Sequence, residues 1–171
     1  SYESIPVETN AEADAAYLAG RCDIYTTDAS GLYASRAGYP DPSAHIVLPE
    51  IVSKEPLGPS VRGNDSEWAD VVRWSLNAMI IAEEKGITSG NVDDMIANSP
   101  DPETQRLLGV KAGYGAWLGL DDDWAANIIR QVGNYSESFE KHIGVNTPIN
   151  IARGLNALYK DGGILYAPPF R

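Results

Sequence analysis

The chain has 171 residues, 43% of them apolar and 22% charged, with a formal net charge of −11. That is enough for one domain or two small ones with a buried core. The acidic balance argues against nucleic acid and anionic membrane surfaces, both of which call for a Lys/Arg patch. No run of about 18 apolar residues is present to span a bilayer.

In chain order, residues 3–8 (ESIPVE) predict a short strand. Residues 10–19 (NAEADAAYLA) predict a helix, with Asn10 able to cap it and Gly20 to stop it. CDIYTT (22–27) reads as a second strand and ASGLYASRAG (29–38) as a short helix ended by Gly38. This β-α-β-α order implies a parallel, helix-covered sheet, so the expected fold class is α/β. Residues 39–44 form a loop. HIVLPEIVSKEPLGPSVR then runs extended, because Pro49, Pro56, Gly58 and Pro59 prevent a regular helix. Such a segment suits either a strand that crosses between two lobes or an edge strand with a loop.

The back half reads as helical. Residues 65–86 carry a cap (Asp65 or Ser66), a stripe of Trp68, Val71, Val72, Ser75, Met79 and Ala82, and a stop at Gly86. Shorter helices are expected in SGNVDDMIANS and DPETQRLLG, the latter with Pro102 in its first turn. One longer helix is expected over 121–144, with Trp124, Ile128, Val132, Tyr135, Phe139 and Ile143 on one face. A last helix is expected in NIARGLNALYKDGG, with Gly162 in the C-cap position, followed by an extended tail.

Chemistry-bearing motifs are sparse. His45 and His142 stand far apart without Cys or acidic residues at ligand spacing, so they read as surface or structural residues and no metal is expected. Asp121–Asp123 fit a cap and acidic first turn. Cys22, the single cysteine, reads as a small core residue and permits no internal disulfide, a usage that fits the cytosol and the periplasm alike. No phosphate loop, GxGxxG spacing, GxSxG or Ser-His-Asp set is present, and no cofactor or enzymatic role is expected. Asp28 is different. It ends an expected parallel strand, where open α/β sheets bind ligands. Its carboxylate can hold an ammonium group, with the Thr26 and Thr27 hydroxyls beside it. It can equally serve as the N-cap of the helix beginning at Ala29.

AGRCDIYTTD (19–28) resembles the second-lobe motif of type II periplasmic amino-acid-binding proteins, an A-G-R-x-D-x-x-x-x-D pattern whose last aspartate grips the ligand α-ammonium. VLPEIVSKEPLGPSVRGNDSEWADVVRWSLNAMIIAEEKGI resembles the strand that crosses back to the first lobe and its helix. LGVKAGYGAWLGLDDDWAANIIRQVGNYSESFEKHIG and INIARGLNALYKDGGILYAPPFR are similar to the C-terminal extension of the general L-amino-acid-binding proteins of ABC transporters. The resemblance implies a partial type II binding-protein fold: residues 1–52 as part of lobe two, 53–62 as the return hinge crossing, and 63–171 as a mostly helical portion packed on lobe one. The family's chain is about twice this length, as two lobes require, so the chain resembles a C-terminal fragment. No residue here matches the family's arginine for the ligand carboxylate or its aromatic cover.

The resemblance further implies a periplasmic clamshell that closes on an L-amino acid and delivers it to a membrane permease. Asp28 would supply the anion, with Thr27 and Thr26 on the same wall and Glu50–Pro56 in the hinge. Tyr25 and Cys22 would face the sheet or its helix. Exposed inter-lobe surface makes self-association of a lone fragment an expectation. The rival readings are a dehydratase on the same fold, with Asp28 as its acid or base, and an interaction or sensory module that has lost its ligand.

Overall fold

A computed structural model describes residues 2–53, 57–111 and 114–170. It contains seven α-helices among the described residues: α1 (Asn10–Leu18), α2 (Ala29–Gly38), α3 (Ser66–Glu84), α4 (Val92–Asn98), α5 (Pro102–Leu107), α6 (Trp124–Val132) and α7 (Tyr135–His142). The chain divides into two compact units, Ser1–Pro56 with Pro148–Ile151, and Leu57–Thr147 with Ala152–Arg171. Residues 54–56 of the expected hinge crossing lie outside the described residues.

In the first unit, α1 is capped by Thr9 rather than Asn10. The Thr9 hydroxyl accepts from the Glu12 N–H while Glu12 Oε2 accepts from the Thr9 N–H, a reciprocal capping box. Gly20, at φ 69°, ends the helix as expected. A cluster of four rings ties α1 to the rest of the unit. Tyr17 packs on Tyr25, Tyr39 and His45, with centroids 6.2, 6.0 and 5.4 Å away. The Tyr17 hydroxyl also meets His45 Nδ1 at 3.0 Å, and the Tyr39 hydroxyl donates to Asp14 at 2.8 Å. His45 is thus a structural residue.

The expected α/β class is not confirmed: no strand forms among the described residues, and an isolated parallel bridge, Leu158 with Leu165, is the β pairing found there. Segments 3–8 and 22–27 form no strand and are irregular, with bends at Glu8, Asp23 and Thr27. A strand is a pairwise object, and β-type sequence makes no ladder without a second backbone about 4.8 Å away. The side chains such a sheet would cover stand in solvent: Ile24 is 76% exposed, Ile46 77% and Val52 89%. Tyr25 and Cys22 are half-buried and face no sheet.

The second unit holds the main core. Ala78, Ile81 and Ala82 of α3 pack with Ile87, Val92, Leu107, Leu108, Trp124 and Ile129, joined by Leu158, Ala167 and Phe170 from the last stretch. A fully buried Ile or Leu contributes about 1.5–3 kcal/mol. Helix α3 is capped by Asp65, whose carboxylate accepts from the Trp68 N–H. Its inner face runs through Trp74, Ala78, Ile81 and Ala82, and Trp68 of the expected stripe is mostly exposed. Helix α5 starts with Pro102, as expected, and Asp101 before it supplies the cap, accepting from the Thr104 N–H.

Two expected helices are corrected. The long helix over 121–144 is two, because Gly133 takes φ 82° and Asn134 opens a new capping box with Glu137. The last helix is instead a pair of 3-10 turns, Gly154–Asn156 and Tyr159–Asp161. Asn150 and Gly154 sit at φ 58° and 49°, left-handed values that no α-helix contains. Gly162 does cap the second turn, at φ 86°. The extended tail buries Phe170 against Trp74, Tyr114 and Trp124, with centroids 5.6, 5.2 and 6.3 Å apart.

Candidate functional site

Asp28 follows the irregular segment 22–27 and opens α2. Its own backbone is extended (φ −60°, ψ 148°), the usual geometry of a residue one step before a helix. Its carboxylate folds back over the first turn. Oδ2 accepts from the Ser30 hydroxyl at 2.6 Å and from the Gly31 N–H at 3.0 Å, while the Thr27 hydroxyl reaches Oδ1 at 3.4 Å. The carboxylate is thus the N-cap, as the cap reading anticipated, and one of its oxygens carries both short bonds.

These bonds hold the Asp28 carboxyl below the usual carboxylate range, the Ser30 hydroxyl first and the Gly31 N–H second. The group is therefore ionised at neutral pH. A Cβ at position 31 would sit 3.3 Å from both Asp28 oxygens and 3.4 Å from Thr27 Cγ2, so a glycine there leaves the carboxylate its room. Thr26 and Thr27 are exposed and Asp28 is half-buried, giving a polar ledge of two hydroxyls and one anion. The ledge can accept hydrogen bonds from a cation.

The structure brings the three expected residues together as neighbours along the chain. Sequence reasoning missed Ser30 and Gly31. Their signal is the spacing itself, since an aspartate cap with Ser two and Gly three positions later offers a second hydroxyl donor and space for the folded-back carboxylate. An open groove of about 570 Å³ also lies in this unit, between the 5–8 segment and the Glu12–Ala19 face of α1, with Arg21 on its wall. Thr26, Thr27 and Asp28 do not line it. Among the described residues, no group of three or more His, Cys, Asp or Glu is placed to hold a metal ion, and no helix is long and apolar enough to cross a membrane.

No protein-family model matches the chain. A solved structure does: an ABC transporter periplasmic binding protein from Brucella ovis with glutathione bound, at TM-score 0.90 and 53% identity, covering 96% of this chain and 52% of that one. By homology the chain belongs to the periplasmic binding proteins of ABC transporters. Its curated relatives are named as amino-acid-binding proteins. The general L-amino acid-binding periplasmic protein AapJ of Rhizobium johnstonii is 56% identical over 99% of this chain and 50% of its own length. The glutamate/glutamine/aspartate/asparagine-binding protein BztA of Rhodobacter capsulatus is 50% identical over 100% of this chain and 51% of its own. The putative amino-acid ABC transporter-binding protein YhdW of Escherichia coli is 51% identical over 99% and 50%. The chain spans about half the length of the relatives it matches.

Proposed function

We propose that this chain is part of the solute-binding component of an amino-acid ABC transporter, which captures L-amino acids in the periplasm and hands them to a membrane permease without chemical change. The observation that supports this is identity of 50–56% along essentially all of the chain to relatives named as amino-acid binders. In this reading, residues 1–52 belong to one lobe, 53–62 to the crossing, and 63–171 pack on the other lobe. The unpaired segments 3–8 and 22–27 find their sheet partners in the half that the chain does not span.

Asp28 then holds the ligand α-ammonium, with Thr27 and Thr26 beside it. The glutathione in the Brucella neighbour fits the same logic. Its γ-glutamyl end keeps a free α-ammonium and α-carboxylate, the handle every free amino acid carries. Asp28 reads that handle, and side-chain choice is made elsewhere.

The test is a thermal-shift panel of the proteinogenic amino acids and glutathione. It is run on this chain and on a chimera that supplies the unspanned half from the Rhizobium relative. The expected result is stabilisation of the chimera by several amino acids and no response from the chain alone, since half a clamshell encloses nothing. A chimera that folds, by circular dichroism, and responds to none overturns the reading.

A further inference from the structure

We propose that Ser30 is a positioning residue that makes the Asp28 site selective for a primary ammonium group over a guanidinium. The inference rests on the ammonium role proposed for Asp28.

Selectivity begins with how the carboxylate is divided. A guanidinium binds a carboxylate best as a fork, two parallel N–H bonds to two oxygens. A primary ammonium is a compact point donor and needs one oxygen plus any neighbouring acceptor. At Asp28 the two short bonds, from the Ser30 hydroxyl and the Gly31 N–H, both fall on Oδ2. The looser one, from Thr27 at 3.4 Å, falls on Oδ1. A fork would have to compete with Ser30 and Gly31 for Oδ2. A point donor takes Oδ1, with the Thr27 hydroxyl oxygen as a second acceptor, and leaves Oδ2 as it is.

Gly31 N–H is fixed by the helix backbone, but the Ser30 hydroxyl is a side chain that substitution can remove. Without it, one of the two short bonds to Oδ2 is gone, and a fork competes there with the Gly31 N–H alone. The unique consequence is a change in the ratio between two ligand chemistries, which a loss of fold would not produce.

The experiment uses the same chimera with the Rhizobium half. Calorimetry compares L-glutamate with N-amidino-L-glutamate, the same acid with its ammonium replaced by a guanidinium, in the parent, Ser30→Ala and Ser30→Thr. The parent is expected to favour the ammonium ligand by tenfold or more. Ser30→Ala is expected to shrink that preference at least threefold, and Ser30→Thr, which keeps the hydroxyl, to restore it. An unchanged ratio in Ser30→Ala, or a parent without preference, overturns this proposal and leaves the transport reading standing. N-acetyl-L-glutamate, which carries no charge on nitrogen, separates the two. If it binds as well as L-glutamate, the ammonium role of Asp28 fails, and the role of Ser30 with it. If Ser30→Ala proves unfolded by circular dichroism, Ser30→Gly and Ser30→Cys carry the comparison, with the same ratio expected to shrink.

Discussion

Replacing Asn134 by alanine should cost the second unit about 2–4 kcal/mol. Asn134 is 4% exposed and does two jobs. Its Oδ1 accepts from the Glu137 N–H at 2.9 Å, capping α7, and its Nδ2 donates to the Ile87 carbonyl at 2.8 Å. Losing the cap costs about 1 kcal/mol. Losing the donor leaves the carbonyl of fully buried Ile87 unpaired, which costs about 1–3 kcal/mol more. At roughly 2–4 °C per kcal/mol for a chain of this size, a loss of 3 kcal/mol lowers the Tm by about 6–12 °C. All four tryptophans, Trp68, Trp74, Trp117 and Trp124, lie in this unit, so urea unfolding followed by their fluorescence reports on it alone. Asn134→Ser separates the two contributions: its hydroxyl caps α7 but does not restore the reach to Ile87, so it should recover about 1 kcal/mol and no more. The reasoning fails if Asn134→Ala unfolds within about 0.5 kcal/mol of the parent, or if Ser recovers everything.

Two more expected outcomes concern charged groups. In the chimera, Asp28→Asn should weaken L-glutamate binding about 30-fold or more, since truncating one partner of an enclosed charge pair costs at least about 2 kcal/mol; calorimetry giving an affinity within threefold of the parent would remove Asp28 from the site. Lys85 contacts Asp101 at 3.0 Å and Glu103 at 2.6 Å. Both carboxyls are held below their ordinary values of 3.8 and 4.5, Asp101 by Thr104 first and then Lys85, Glu103 by Lys85 first. Depressed values mean stability that is present above those ordinary values and is lost as pH falls through the lowered ones. Lys85→Gln should therefore be less stable than the parent in urea at pH 7, with the gap closing below about pH 4 as the acids protonate. A gap of equal size at pH 7 and pH 3 would contradict this.

Helix ends were legible because their chemistry is local. Asp65, Asp101 with Pro102, and Gly86 each act within one turn, and each stands where its residue type predicts. The division between α6 and α7 was equally local, in Gly133 and the Asn134-x-x-Glu137 box. A continuous apolar stripe reads through that break, since Tyr135 and Phe139 keep roughly the spacing of Trp124 and Ile128. The strands were not legible as strands, because their pairing depends on a backbone elsewhere and not on Ile24 or Tyr25 themselves. At the candidate site, Asp28 was visible by its place at the end of an apolar run. What its carboxylate does with Ser30 and Gly31 depends on a side chain folding back, which spacing alone does not fix.

The last stretch of the second unit has a kinetic consequence. Arg153 pairs with Glu83 across 70 positions, Lys160 reaches the Glu84 carbonyl across 76, and the Phe170 N–H reaches Glu103 across 67. Helices α4 and α5 form from neighbours, but the core they border is sealed only when Leu158, Ala167 and Phe170 arrive over loops of that length. Such closures carry their entropic cost before any burial rewards them. The unit should therefore refold more slowly than its helical content suggests, with early helix formation and then a slower docking of residues 153–170 that brings Phe170 against Trp74 and Trp124.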